Sequence, residues 1–161
     1  MQKPLIVQGD KSILLDVHAD ENKEARFALI PFAELEKSPE HLHTYRLTNL
    51  SLWNAASAGL KSESIIELLK KYSRFAFPEQ VAVWITETMN RYGVIRLVST
   101  DDDAYLRLVT TGEKIFRELL ATKTLAKYLT LESESKKSFL LPVLYRGTVK
   151  QLLLKHNFPV K

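Results

Sequence analysis

The stretch Pro78-Glu-Gln-Val-Ala-Val-Trp-Ile-Thr-Glu-Thr-Met-Asn-Arg-Tyr-Gly93 contains the clearest helix signal in the sequence. Its apolar residues recur at steps of three and four, which is typical of an amphipathic helix. Pro78 suits the first helical position, and Gly93 suits the left-handed conformation just past a helix end. The inward positions of this predicted helix are Val81, Trp84, Ile85, Thr88, Met89 and Tyr92.

Two further helices are predicted before it. Thr48 or Asn49 can cap the first, and Gly59 stands where a left-handed C-terminal residue is favoured. Ser62 is expected to cap the second, and basic residues in its last turn suit the helix dipole. The inward residues are Leu50, Trp53 and Ala56 in the first helix and Ile65, Ile66, Leu69 and Tyr72 in the second.

Strand signals surround these three helices. His43 to Thr48 alternates and carries β-branched and aromatic residues, while residues 94–98 and 104–109 alternate around the turn Ser99 to Asp103. Three helices followed by a hairpin form the element order of a winged helix. The sequence therefore predicts a winged-helix-like subunit over residues 43–110.

The flanking segments are expected to pack on this centre. Residues 5–17 predict a hairpin, and Asn22 to Leu35 a helix that Pro31 must kink or shorten. Residues 111–161 form a predicted C-terminal α/β portion, with helices over 113–121 and 146–156 and strands over 129–132 and 139–144. No internal repeat is visible. The prediction is a single α+β domain over residues 1–161.

Composition excludes several classes of protein. The 161 residues are 45% hydrophobic and 26% charged, which is typical of a folded domain and not of a disordered chain. There is no Cys, no apolar run long enough for a membrane span, and no signal-peptide core, so we expect a cytoplasmic protein. The five glycines are isolated, so the sequence contains neither the P-loop pattern G-x-x-x-x-G-K-[ST] nor the dinucleotide-binding pattern G-x-G-x-x-G. No nucleophile elbow is present either, and the chain alone is predicted not to be an enzyme.

Charge argues against the usual DNA-binding pose of a winged helix. The net charge is +4, but the third helix carries Glu79 and Glu87, and the wing would be Asp101 to Asp103. Because duplex affinity rests largely on Lys and Arg, an acidic wing would repel phosphates. The centre is therefore interpreted as a module for packing or protein contact.

Two groups of cations are the candidate contacts for a partner protein or for DNA. The simpler interpretation, a solvated helix face and cationic C-terminal residues, is favoured because no aromatic residues interleave the charges. Residues 136–161 contain no acidic residue. The candidates are Lys61, Lys70, Lys71 and Arg74 around the second helix, and Arg146, Lys150 and Lys155 in the last helix.

No catalytic, cofactor or metal site is predicted in this chain. His41 and His43 lie two residues apart, but two ligands are too few for a metal site, and we interpret them as hydrogen-bonding histidines. Asp101 to Asp103 lacks the Gly and the distal Glu of a calcium loop, so a turn that favours Asp explains it. Trp53 and Trp84 are interpreted as core residues.

A longer stretch carries a family resemblance. Ser38-Pro-Glu-His-Leu-His-Thr-Tyr-Arg-Leu-Thr-Asn-Leu-Ser-Leu-Trp-Asn-Ala-Ala-Ser-Ala-Gly-Leu60 strongly resembles the N-terminal domain of the XPB family of DNA repair helicases, in its prokaryotic branch. The likeness continues in the same order through Pro4 to Asp10, Phe32 to Glu40, Tyr72 to Phe75, Met89 to Gly93 and Leu152 to Pro159.

The resemblance implies an accessory role within a larger enzyme. It implies two ATP-driven motor domains of superfamily 2 beyond this chain, with 3′ to 5′ translocation in DNA repair and with ATP and Mg as their cofactors. The family's catalytic motifs have no matching position here. The implied function is a non-catalytic module that contacts the motor, a repair partner protein or DNA, with no membrane partner, and the alternative is a domain that grips DNA directly.

Overall fold

The structure, a computed structural model, describes residues 2–160. Their strands and helices alternate along the chain in two series that each begin with a β-hairpin. The strands are β1 (Leu5–Val7), β2 (Ser12–Asp16), β3 (Glu34–Lys37), β4 (Leu42–Arg46), β5 (Ile95–Ser99), β6 (Tyr105–Thr110), β7 (Thr130–Ser133) and β8 (Ser138–Pro142). The helices are α1 (Asn22–Leu29), α2 (Asn49–Ser57), α3 (Ser62–Tyr72), α4 (Glu79–Asn90), α5 (Glu113–Ala121), α6 (Lys123–Ala126) and α7 (Arg146–Lys155).

The described chain divides into two compact units, the first ending at Met89 and the second beginning at Asn90. In the first unit, four antiparallel strands form a sheet in the order β1-β2-β4-β3. Period-two alternation turns Ile13 and Leu15 of β2 into the core, where they are fully buried beside Leu5. Helices α1 to α4 supply most of the other core residues, together with Val7 of β1, Tyr45 of β4, and Phe32 and Leu47 outside the helices and strands.

Local signals account for the helices of the first unit. Thr48 caps α2 with a reciprocal capping box, in which each of Thr48 and Ser51 accepts the other's backbone N–H at 2.9 Å. Gly59 follows the end of α2 at φ +94°, as predicted for a left-handed position. Trp53 is buried on α2, and its indole N–H donates to the backbone oxygen of Thr88 on α4 at 3.0 Å.

The second unit has a sheet of the same design. Its antiparallel strands lie in the order β5-β6-β8-β7, and its separate core includes Leu108, Phe116, Phe139, Val149 and Leu153. Val149 and Leu153 lie four residues apart, so α7 buries one stripe and leaves its opposite face open.

The two units are a structural repeat that the sequence did not reveal. Each sheet is made of a hairpin, a helical segment and a second hairpin, and the strand order is the same in both. Each last hairpin carries a bulge, with Glu36 and Glu132 as the extra residues. Each bulge glutamate pairs with an arginine at 2.7 Å: Glu36 with Arg46, and Glu132 with Arg107.

The α+β fold class is confirmed, but the winged helix is not. The hairpin β5–β6, which would be the wing, pairs with β8 in the second sheet, whereas β4 belongs to the first sheet. The unit boundary therefore falls inside the predicted subunit of residues 43–110, and the predicted division at residue 111 falls inside the second unit.

Two local predictions need correction. The helix predicted over Asn22 to Leu35 is shortened before Pro31, as expected, and ends at Leu29, but Leu35 lies in strand β3 and not in the helix. Ser62 does not cap α3: Lys61 occupies that position, with no side-chain capping bond. No helix in the described part of the chain is long and apolar enough to cross a membrane.

Candidate functional site

Three of the four candidate cations in the first unit are exposed. Lys61, Lys70 and Lys71 lie at the start and in the last turns of α3 with their side chains in solvent. Lys70 lines a shallow depression together with Glu79 and Glu87 of α4. The acids of α4 therefore offset the cationic end of α3.

Arg74 is occupied by contacts inside the first unit. Its guanidinium donates to the Asp16 carboxylate and to the backbone oxygen of Lys3, both at 2.9 Å. The hydrogen bond from Arg74 lowers the pKa of Asp16, and the backbone N–H of His18 adds to this effect. Arg74 thus ties the segment after α3 to the ends of β1 and β2, which sequence spacing could not show because Asp16 lies 58 residues away.

The net charge is distributed very unevenly between the two units. The first unit has ten Lys and Arg against twelve Asp and Glu, a net charge of −2. The second has thirteen against seven, a net charge of +6. The overall net charge of +4 therefore combines a slightly acidic first unit with a strongly basic second unit.

The cations of α7 are free of carboxylates. Arg146, Lys150 and Lys155 are all exposed, and no carboxylate of residues 2–160 lies within the 4.0 Å of an ion pair. Lys123, the first residue of the neighbouring helix α6, and Lys127, directly after that helix, are also exposed and have no carboxylate of the described residues within that distance. We call these five cations the α6–α7 basic surface.

Helices α6 and α7 are held together where the basic surface lies. The hydroxyl of Thr124 on α6 is 3.2 Å from Nε2 of His156, which directly follows α7. Sequence reasoning missed Lys123 and Lys127, although one signal was present: residues 119–131 contain no acidic residue.

Apolar side chains project into solvent beside these cations. The segment Val143–Tyr145 forms a 3₁₀ turn that leads directly into α7. Leu144 in this turn is 83% exposed, and Leu154 near the end of α7 is 44% exposed. Tyr145 packs edge-on against Tyr128, with ring centroids 5.0 Å apart, which fixes the turn at the start of the helix.

Several acids of the second unit have local partners. Asp102 stabilises the β5–β6 turn, where its carboxylate accepts the backbone N–H of Ala104 at 2.9 Å, as expected for a turn residue. Glu132 accepts two hydrogen bonds from Arg107, at 2.7 and 2.9 Å, and one from the Ser138 hydroxyl at 2.9 Å. The bonds from Arg107 and then Ser138 lower the pKa of Glu132.

His41 and His43, which were predicted as hydrogen-bonding histidines, lie in different surroundings. His43 is half-buried in β4, while the Nδ1 atom of His41 lies 2.7 Å from Nε2 of His18. His18 had not been singled out in the sequence. Within residues 2–160, no group of three or more His, Cys, Asp or Glu is placed to hold a metal ion.

Comparison with known proteins identifies the family. A family model described as "Helicase conserved C-terminal domain" matches residues 5–134. The chain is 44% identical to "DNA 3'-5' helicase XPB" of Mycobacterium tuberculosis and 40% identical to the protein of the same name from Kineococcus radiotolerans, over 98% of this chain in both cases. It is 27% identical, again over 98% of its length, to "General transcription and DNA repair factor IIH helicase/translocase subunit XPB" of Encephalitozoon cuniculi.

The chain spans 28% of each bacterial relative and 23% of the Encephalitozoon protein. The description of the family model names a C-terminal domain, so the prediction of an N-terminal domain is not confirmed. The resemblance of the sequence to the XPB family is confirmed. This chain belongs to the XPB-type DNA helicase family.

Proposed function

We propose that this chain is a non-catalytic accessory domain of an ATP-dependent 3′–5′ DNA helicase that acts in DNA repair. Its task is to position the motor or a partner protein. ATP and Mg belong to the motor domains in this proposal, and no residue of this chain is assigned to either. The observation that carries the proposal is the α6–α7 basic surface, where unpaired cations stand beside exposed apolar side chains.

This combination of side chains supports protein contact. Phosphates of a duplex gain from the cations but nothing from Leu144, whose exposed surface would stay in contact with water. A protein partner can bury that leucine and meet the cations with carboxylates. In the first unit, Lys61, Lys70 and Lys71 remain secondary candidates because acids of α4 lie close by.

The titratable groups of this chain support a structural role. The carboxylates whose pKa is lowered are Asp10, Asp16 and Glu132, and each one accepts hydrogen bonds from a neighbouring side chain. Asp16 and Glu132 are paired with arginines, as expected for groups that hold strands together.

A chimeric helicase tests this proposal. The segment that matches this chain is deleted from the Mycobacterium tuberculosis relative, and in a second protein it is replaced by this chain. We expect the deletion to retain DNA-stimulated ATP hydrolysis and to lose unwinding, and the replacement to restore unwinding. ATP hydrolysis by this chain alone, or unwinding by the deletion protein at the full rate, would contradict the proposal.

The second candidate is a direct DNA-binding domain, which the net charge of +6 on the second unit favours. Titration of this chain with duplex and single-stranded DNA at increasing salt separates the two functions. Tight binding at moderate salt with a steep salt slope supports the DNA-binding domain. Absence of binding at low salt excludes it.

A further inference from the structure

The outer face of α7 repeats like one side of a coiled coil. The 3₁₀ turn Val143–Tyr145 leads directly into α7, which begins at Arg146 with Tyr145 (φ −99°, ψ 9°) as its N-cap. Leu144, Gly147, Gln151 and Leu154 follow at steps of three, four and three, opposite the buried stripe, and all four are exposed. These steps place them at the a and d positions of a heptad.

This face has both apolar residues and a gap. Leu144 is the most exposed large apolar side chain among the described residues. Gly147 has no positive φ, and a Cβ added to it would meet no heavy atom within 4 Å. Nothing in the chain itself therefore requires glycine there, whereas a second helix could approach the backbone closely at this point.

Charges at the edges of the stripe define the chemistry of the occupant. With Leu144 at position a, Lys150 falls at g and Lys155 at e, the positions that choose the partner of a coiled-coil helix. Neither lysine has a carboxylate partner among residues 2–160. The complementary helix must carry Glu or Asp at its own edges.

We propose that the outer face of residues 143–155 docks an acidic amphipathic helix of a partner protein. Leu144 and Leu154 insert between the apolar residues of that helix, which passes closest at Gly147. Lys150 and Lys155 pair with carboxylates at its edges. The proposal rests on the proposed function, because it gives the chemistry of the protein contact made by the α6–α7 basic surface.

The test uses this whole chain and a labelled synthetic peptide of three heptads, with Leu at a and d and Glu at e and g. A peptide with Lys in place of Glu is the charge control. Gly147→Glu fills the gap and places a like charge before the acidic peptide, in a position with space for the new side chain. Ser135→Glu, in the exposed turn between β7 and β8, changes the net charge equally and is the matched control.

We expect the acidic peptide to bind the wild type and Ser135→Glu alike, with affinity about tenfold weaker for Gly147→Glu. The basic peptide is expected not to bind. The proposal is overturned if the acidic peptide does not bind, if both variants behave alike, or if the basic peptide binds equally well.

Two other occupants of this face, duplex DNA and a second copy of this chain, would give different results in these experiments. Duplex DNA binding that Gly147→Glu abolishes would assign the face to DNA and overturn the proposal. Concentration-dependent sedimentation of the wild type that Gly147→Glu abolishes would assign it to a second copy of this chain, with the same consequence. Failure of the peptide test together with a functional chimera would leave the accessory role standing.

Discussion

Gly147→Ala is expected to stabilise the second unit. Gly147 lies in the first turn of α7, which begins at Arg146 after the N-cap Tyr145, and a Cβ there meets nothing within 4 Å. Alanine is favoured over glycine in a helix by about 0.5–1 kcal/mol. With a urea m value of about 2 kcal/mol per molar for a chain of this size, the midpoint should rise by roughly 0.25–0.5 M.

Gly59→Ala is the matched control for this prediction. A Cβ on Gly59 also meets nothing within 4 Å, but its φ of +94° disfavours any residue with a side chain. The same substitution should therefore destabilise the first unit by about 1 kcal/mol. Because Trp53 and Trp84 both lie before Met89, tryptophan fluorescence follows the first unit, while far-UV circular dichroism follows both. A neutral or destabilising Gly147→Ala would show that the fold needs this glycine, and would remove a main support of the docking site.

Two further substitutions test the first unit by urea unfolding. Trp53→Ala should destabilise the first unit by about 3–5 kcal/mol, because this side chain is 6% exposed and loses its hydrogen bond to Thr88. Trp84→Ala should cost less than half as much, because Trp84 is only partly buried, and a larger effect at Trp84 would contradict this ranking of the two side chains. Asp16→Asn removes a carboxylate whose pKa is lowered by Arg74. The difference in free energy of unfolding between wild type and variant should be largest near neutral pH and shrink as pH falls below about 4. A difference that grows in acid would contradict the stabilising role of this ion pair.

Local sequence signals predicted α2 and α4 because residues at the ends of these helices mark their limits, whereas the predicted Ser62 cap of α3 is absent. Thr48 and Gly59 mark the ends of α2, and Gly93, at φ +86°, follows α4 as predicted. Strand β3 was missed for an equally local reason. Its four residues, Glu34–Lys37, are all exposed at a sheet edge, and Leu35 continues the helical spacing of α1.

Strand pairing could not be predicted in the same way. Whether β5–β6 joins β4 or β8 depends on contacts between residues far apart in sequence, and alternation shows only which residues share a face. The order of elements therefore suggested a winged helix where the chain forms parts of two sheets. The same limit hid the structural repeat, since equal strand order does not require similar residues at equivalent positions.

The basic character of the candidate site was visible in the sequence, but its availability depends on the fold. Composition located the cations of residues 136–161 without showing which of them the acids neutralise. In the folded chain, Glu113 and Glu134 are both bound by Arg117, and Glu132 is bound by Arg107. These three carboxylates are thus paired with arginines, and no carboxylate of residues 2–160 forms an ion pair with the lysines of α6 and α7. The unpaired charge of the α6–α7 basic surface is therefore a consequence of which side chains the second sheet brings together. Arg117→Glu should add a carboxylate beside Glu113 and Glu134 and leave the α6–α7 basic surface unchanged.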